Sequence, residues 1–577
     1  MEVVLIVVIF LRPTCVILLI INKKSVLMAS LLQRTASSTK SVGLVFFRHA
    51  DLRLHDNELL HLAHKNHDHV LHLFIFDSRS YSPTATVDYN SRTLPRLNLL
   101  KTGPHRAQFL LEAVTDLSNN LTTKHRHPLL IQSGTPETIL PSLIQEFNIS
   151  SIYTSTPEAD EEKKIFSSIE QAVQPLGCNI RRVWSNTLYH IDDLSFNPTE
   201  PGTFPATATA FRNKTERDST VRPIIPLPSV FKPPPPIASK TSNCNTTIPS
   251  LHDLVGEEAA TSYINNAEKR ERMGVMKFVG GETAGLARMQ DYFFDQDCLK
   301  DYFHTRNGML GKNYSSKLSP WLAFGCLSAR WMYQEVCRYE YEKSGNAVPT
   351  KKSSKDVYWM LFELNVRDYF RYYQLHWGTS MFHMFGPKGV IQKKDGHKLE
   401  YTWTQDLDLF NRWITGTTGN PMIDANMREV KETGFMSNRG RQIVASYLTR
   451  DFNLDWRLGA MYFESVLIDH DVGSNWGSWT YAAGVGSDPR ENRYFSIPKQ
   501  VKNYDPDHKY IRHWVSEMGG VSKQQLSRQL TRGCCQQISQ GNQQGGKYGK
   551  GKGNKGNNKG NRGGKGNRKN HARNNRT

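Results

Sequence analysis

The chain has 577 residues, more than one hydrophobic core usually holds, so its length predicts two or three domains with tails. Its eight cysteines show no CxxC spacing with nearby histidines, which argues against a zinc site or a disulfide framework, and no metal is expected. The formal charge of +19 is concentrated near one end, because residues 523–577 hold fourteen Lys or Arg and no Asp or Glu.

Residues 1–41 are predicted to be a targeting or disordered segment. Residues 3–21 are apolar over about the length of a membrane span, but an Arg-Pro pair interrupts them, so no membrane helix is predicted. Residues 28–41 begin with a second methionine, are basic and Ser/Thr-rich, and contain no acid, as is typical of an organellar transit peptide. The expected location is therefore a plastid or mitochondrion, with cytoplasm or nucleus as the alternative if Met1 is not the true start.

From residue 43 onward, short β-rich runs alternate with helical periods. The runs GLVFF, HVLHLFIFD, PLLIQSG and ISSIYTS predict strands, and segments between them such as RAQFLLEAVTDL have helical periodicity. This alternation predicts an α/β domain over residues 42–195, with a parallel sheet covered by helices on both faces. No GxGxxG follows the first strand, so the standard dinucleotide-binding fingerprint is absent.

Residues 196–277 are predicted to be a Pro-rich interdomain linker, because the repeated prolines of RPIIPLPSVFKPPPP deny the backbone its regular hydrogen bonds. Residues 278–518 hold ten of the eleven tryptophans and mostly helical patterns, which predicts a helical domain with wide aromatic faces. Such faces suit a cofactor pocket, and by composition a large helical core explains them equally well.

Residues 519–577 are predicted to be a disordered basic tail, because they have few apolar side chains to offset the entropy of ordering. The tail is either a solubility segment or a binder of single-stranded nucleic acid. The regular interleaving of Gly with Lys and Arg favours the binder.

Several long segments resemble photolyases and cryptochromes: FFRHADLRLHDN (46–57), PRLNLLKTGPHRAQFLLEAV (95–114), LSPWLAFGCLSAR (318–330) and NPMIDANMREVKETGFMSNRGRQIVASYL (420–448). The run SNWGSWTYAAGVGSDPRENRYFSIPKQVKNYDPDHKYIRHWV (474–515) resembles the DASH group of that family in particular. The resemblance covers nearly all of residues 43–515. It implies a Rossmann-like antenna domain followed by an all-helical FAD-binding domain.

A serine-rich turn precedes the helix-like segment WLAFGCLSAR. The diphosphate of FAD needs hydroxyl groups, backbone amides and a cation near the start of a helix. The turn and its surroundings offer Ser315, Ser316, Lys317, Leu318 and Ser319, and the resemblance adds Tyr302 by position. Serine caps are common in proteins, so this assignment depends on the resemblance.

The resemblance also implies the groups around the isoalloxazine ring of FAD. Asp469, Asp471 and Asn475 match the positions of the family that face the ring, and Arg441 is the implied partner of Asp469. An amide at position 475 is implied to contact flavin N5, as in photolyases, whereas plant photoreceptor cryptochromes have an acid there. Without the resemblance, the DxD pair would be interpreted as helix caps.

For the substrate, the resemblance implies that Glu363, Asn438 and Gln442 face a pyrimidine dimer whose bases are flipped out of the strand. Arg367 lies one helical turn beyond Glu363, and both, with Asn438, are also implied FAD contacts. Val366 replaces the tryptophan that the family usually has, and losing a stacking platform costs about 1–3 kcal/mol per base. Lesion affinity is therefore expected to be reduced.

Tryptophans 403, 456 and 479 fall at the positions of the family's electron-transfer triad, with Trp479 nearest the flavin and Trp403 nearest solvent. In an arbitrary protein such residues are core packing. Glu162 aligns with the acid that holds the antenna 5,10-methenyltetrahydrofolate in relatives. The alternative for Glu162 is an ordinary acidic helix start.

These expectations combine into a blue-light-driven lyase in which excited, reduced FAD repairs cyclobutane pyrimidine dimers, preferentially in single-stranded DNA. The chain is expected to act as a monomer away from membranes. The alternatives are a photoreceptor that uses the same FAD without repair, and a flavoprotein that binds RNA through its basic tail.

Overall fold

The computed structural model describes residues 5–10, 16–21, 40–87, 94–236, 245–394, 402–487 and 493–530. Its strands are β1 (Leu5–Phe10), β2 (Val16–Ile21), β3 (Val42–Phe47), β4 (His69–Asp77), β5 (Leu129–Gly134), β6 (Ile149–Ser155) and β7 (Asn179–Val183). β1 and β2 pair antiparallel. The remainder of the predicted targeting segment, up to residue 39, lies outside the described residues.

Strands β3 to β7 form one parallel sheet in the order β5-β4-β3-β6-β7. Successive side chains of β3 alternate between two cores: Val45 and Phe47 pack on one face of the sheet, and Leu44 and Phe46 on the other. Helices cover the sheet at Glu58–Asn66, Pro104–His125, Pro136–Phe147 and Asp160–Val173. The predicted α/β domain is confirmed.

The segment 196–277 is not a simple linker, which corrects the sequence-based prediction. Its described part contains helices at Ala208–Asp218, Leu251–Val255, Glu257–Asn265 and Ala267–Met273. Phe211 and Thr215 are fully buried, and the Thr215 hydroxyl accepts a hydrogen bond of 2.9 Å from Asn365. The proline argument fails here because the helical stretches contain no proline.

The rest of the described chain is helical, as predicted. The helices are Glu282–Gln290, Tyr302–Thr305, Ser319–Ala323, Ala329–Ser344, Lys355–Trp377, Gly386–Lys394, Leu407–Thr415, Pro421–Thr433, Asn438–Ser446, Trp456–Val466, Val472–Ala483, Ile497–Tyr504 and Lys509–Trp514. Within the described ranges, no helix combines the length and hydropathy that crossing a membrane requires.

The predicted start of the tail at residue 519 is too early. Residues 523–530 are helical, and Leu526 and Leu530 are buried four residues apart on one face. Residues 531–577, which hold the Gly- and Lys-rich run, lie outside the described residues.

Buried ionic contacts join the α/β half to the helical half. Asp56 and Arg330 form an ion pair of 2.8 Å with side chains 0% and 4% exposed. The carboxylate of Glu282 accepts hydrogen bonds of 2.8 and 3.0 Å from the amides of Leu54 and His55. These contacts hold the sheet against the helical half, which carries a cavity of about 760 Å³.

Candidate functional site

A cavity of about 760 Å³ lies among the helices. Its walls come from the serine-rich turn and from the helices Tyr302–Thr305, Lys355–Trp377, Asn438–Ser446 and Val472–Ala483. It brings together most of the predicted site residues, together with Val366: Tyr302, Ser315, Ser316, Lys317, Leu318, Ser319, Glu363, Arg367, Asn438, Arg441, Gln442, Asp469, Asp471, Asn475 and Trp479. Glu162, Trp403 and Trp456 lie outside its lining.

The serine-rich turn presents a cationic end of this cavity. Ser315 and Lys317 adopt left-handed backbone conformations, with φ of 64° and 58°. Lys317 is 5% exposed, and its ammonium group donates to the carbonyls of Gly311, at 2.9 Å, and Tyr314. Burial and the nearby Arg288 lower the pKa of Lys317 to about 7. A bound diphosphate would supply the negative charge that this lysine lacks, so the turn fits that part of FAD.

The same cavity holds an ion pair whose carboxylate is buried. Arg441 Nη2 lies 2.9 Å from both carboxylate oxygens of Asp469, whose side chain is 3% exposed. Asn475 donates to the Ala460 carbonyl at 3.0 Å and is 8% exposed. A fixed carboxylate and a fixed amide are the donors and acceptors that the edge of a flavin ring requires.

Asp471 does more than face the cavity. Its Oδ1 accepts from the Ser474 amide at 2.8 Å and so caps the helix Val472–Ala483. Its other oxygen receives Arg371 at 2.7 Å. Burial acts to raise the pKa of Asp471, but Arg371 and Arg367 outweigh it and hold that pKa well below its usual range. The sequence analysis missed Arg371, since nothing local to it indicates these distant partners.

Glu363 forms an ion pair with Arg306, which the sequence analysis also missed. Burial raises the pKa of Glu363, and Arg306 opposes that shift. Nearby, Arg439 donates to the Gln442 side chain at 2.9 Å and also lines the cavity. Arg306 follows Tyr302 by one helical turn, which is the signal that could have placed it on the same wall.

The three predicted tryptophans lie in different surroundings. Trp479 is 2% exposed in the cavity wall and packs on Gly459, where a methyl group would overlap its indole. Trp456 is fully buried and donates to the Met384 carbonyl at 2.9 Å, and Trp403 is half-buried.

Two further tryptophans accompany them and were not predicted. The ring of Trp413 lies 6.1 Å from that of Trp479, and the ring of Trp476 lies 5.7 Å from that of Trp456. The buried indoles therefore form a larger set than the predicted triad.

A smaller cavity of about 180 Å³ contains Glu162. Glu162 accepts from the amides of Glu158 and Ala159 at 3.0 and 3.2 Å and pairs with Arg48 at 2.8 Å. Burial acts to raise the pKa of Glu162, but Arg48 and His49 outweigh it and lower that pKa to about 2. Typical ligand pockets span roughly 300–1,000 Å³, so this cavity would enclose one ring system of a folate rather than the whole molecule.

The sheet, the helical half and the large cavity define a photolyase-type flavoprotein. Family models described as "DNA photolyase" and "FAD binding domain of DNA photolyase" match residues 43–234 and 359–551. The chain is 41% identical to "Cryptochrome DASH, chloroplastic/mitochondrial" of Arabidopsis thaliana, covering 84% of this chain and 77% of the relative. It is also 41% identical to "Cryptochrome DASH" of Gloeobacter violaceus, covering 84% and 87%.

Among solved structures, the crystal structure of Synechocystis sp. PCC6803 cryptochrome matches with a TM-score of 0.73 and 39% identity, covering 84% of this chain and 91% of that one. The chain belongs to the DASH-type cryptochromes of the DNA photolyase/cryptochrome family. This membership supports FAD as the cofactor and a flavin photoreceptor or DNA-repair role.

Proposed function

We propose that this protein repairs cyclobutane pyrimidine dimers in single-stranded DNA under blue light. The observation that carries the proposal is that one continuous cavity holds both the groups that fit FAD and the polar side chains Glu363, Asn438 and Gln442. Bound FAD, when reduced and excited by light, supplies an electron that splits the dimer and then returns. The protein supplies binding, orientation and exclusion of water.

Two groups of residues in the cavity would hold the cofactor. Lys317 and the amides of the serine-rich turn bind the diphosphate, and Tyr302 closes the wall beside them. Asp469, held by Arg441, and Asn475 orient the ring. Because these side chains are buried and already hydrogen-bonded, little reorganisation accompanies binding.

In the part of the cavity assigned to the substrate, Val366 stands where a tryptophan would offer a stacking surface. Burial raises the pKa of Glu363 and the paired Arg306 opposes that rise, and the carboxyl group can form hydrogen bonds with the base edges of the dimer. Asn438 and Gln442 offer amide donors and acceptors beside it. Val366 adds little stacking area, so the pocket supplies little energy to extract a dimer from a duplex. Single strands, in which unstacking costs less, are the favoured substrate.

In this proposal the tryptophans would relay electrons from a reductant in solution to bound FAD. Trp479 lies in the cavity wall, Trp456 is fully buried, and Trp403 is the most exposed of the three. For the antenna, we assign 5,10-methenyltetrahydrofolate to the smaller cavity, with Glu162 as a contact.

Blue-light reception without repair is the second candidate, and Val366 is the observation that favours it. RNA binding through the basic residues beyond 531 is a further proposal. We also propose that the protein is a monomer. We propose plastids or mitochondria as its location, since plant relatives are named chloroplastic/mitochondrial.

The deciding experiment is repair of a single thymine dimer in single-stranded and duplex oligonucleotides by photoreduced protein, with a dark control. The proposal expects light-dependent repair of the single strand, lost in Glu363→Gln and retained in the matched Glu342→Gln, whose side chain is 48% exposed. Photoreduction of FAD without repair of either substrate would replace the lyase with the photoreceptor.

A further inference from the structure

A buried arginine, Arg371, lines the smaller cavity and contacts Asp471, which lines both cavities. Arg371 Nη1 lies 2.8 Å from both carboxylate oxygens of Glu158, and its Nη2 lies 2.7 Å from Asp471. The three side chains are 6%, 9% and 15% exposed. A planar guanidinium can hold two carboxylates in one fixed geometry through its fork of donors.

On one side of this bridge lies the larger cavity. Asp471 lines both cavities and caps the helix Val472–Ala483 through the Ser474 amide. The same helix carries Asn475 and Trp479 into the wall of the larger cavity. Any shift of Asp471 therefore shifts the start of the helix that faces the flavin ring.

On the other side lies the smaller cavity. Glu158 lines it, and the Glu158 amide is held by the carboxylate of Glu162, which pairs with Arg48. Burial raises the pKa of Glu158, and Arg371 opposes that shift by favouring the ionised carboxylate. A continuous set of buried charges thus runs from the smaller cavity to the helix cap of the larger one.

We propose that Arg371 is a positioning residue that couples the two cavities by holding Asp471 in a place set by Glu158. The proposal rests on FAD occupying the larger cavity. A change in the α/β half, where Glu158 lies, then reaches the flavin through Arg371. Because a nearby anion disfavours electron uptake by a flavin, the reduction potential of bound FAD reports this coupling.

The test is a double-mutant cycle on the FAD-loaded protein, read by spectroelectrochemical titration of the bound flavin. Glu158→Gln removes a negative charge while Arg371 still pairs with Asp471, so the potential should become more positive. In the Arg371→Gln background, where no shared arginine links Glu158 to Asp471, the same Glu158→Gln change should produce a clearly smaller shift. Arg371→Lys keeps the positive charge and should restore a measurable part of the Glu158→Gln shift, which a pure packing role would not do.

Glu170→Gln is the matched control, because Glu170 lies on the helix Asp160–Val173, is 42% exposed and lines neither cavity. It removes the same charge and should leave the potential unchanged. Equal shifts of the potential from Glu158→Gln in the wild-type and Arg371→Gln backgrounds would overturn the coupling. If Arg371→Gln does not fold, an unchanged potential in Glu158→Gln alone would overturn it. A protein that binds no FAD gives no potential and refutes the flavin assignment instead.

Discussion

Lys317 makes the affinity for FAD depend on pH. In the unliganded cavity, burial and Arg288 lower the pKa of Lys317 to about 7, against an ordinary value of 10.5. A diphosphate beside the ammonium favours its protonated form, so above pH 7 binding takes up a proton. The complex then binds more protons than the free protein, and affinity falls as pH rises from about 7.

The magnitude follows from the size of the shift. Each pH unit above the pKa of free Lys317 costs about 1.4 kcal/mol to restore the proton, so between pH 6 and pH 8.5 affinity should fall about 30-fold. Lys317→Met should bind FAD more weakly at pH 6 and lose most of this dependence. The neighbouring Glu429 also titrates, since burial raises its pKa to about 8, so Glu429→Gln should retain the Lys317 slope below pH 8.

The assay is titration of FAD-stripped protein with FAD at pH 6, 7 and 8.5, followed by flavin fluorescence. Calorimetry in buffers of different ionisation enthalpy counts the protons taken up. Equal wild-type affinities at pH 6 and 8.5, or an unchanged slope in Lys317→Met, would refute the reasoning.

Three further predictions concern the walls of the same cavity. Gly459→Ala places a methyl group against the Trp479 indole, so overpacking of about 1–3 kcal/mol should lower the melting temperature and slow flavin photoreduction. Arg441→Met leaves Asp469 buried and unpaired, which should cost about 3–5 kcal/mol in denaturant unfolding and weaken FAD retention, while adding Asp469→Asn should recover most of the stability. Val366→Trp adds a stacking surface and should tighten binding of dimer-containing single strands by roughly 5- to 150-fold in fluorescence anisotropy.

For each of these three predictions, one result would contradict it. Gly520→Ala, which meets no atom within 4 Å, is the control for the glycine substitution, and equal behaviour of both variants would exclude the clash. An Arg441→Met protein as stable as wild type would mean that the Asp469 charge is compensated elsewhere. Unchanged affinity in Val366→Trp would show that this wall does not contact the lesion.

The sequence could predict the parts of the molecule that depend on local pattern. The sheet followed from alternating strand and helix periods, and Lys317 lies in a short turn whose neighbours also line the cavity. The bridge from Arg371 to Glu158 joins residues 213 positions apart, so only the tertiary packing shows it. Likewise, proline-free helices such as Ala208–Asp218 owe their order to contacts with a distant helix, and local composition did not indicate them.

The buried pair of Asp56 and Arg330 limits how this protein can be dissected for engineering. Expressing the helical half alone would leave Arg330 without its carboxylate and expose a broad apolar surface that the sheet now covers. A minimal flavin module cut at the proline-rich segment should therefore aggregate. Chimeras between relatives should exchange both halves together, or carry Asp56 and Arg330 from the same parent.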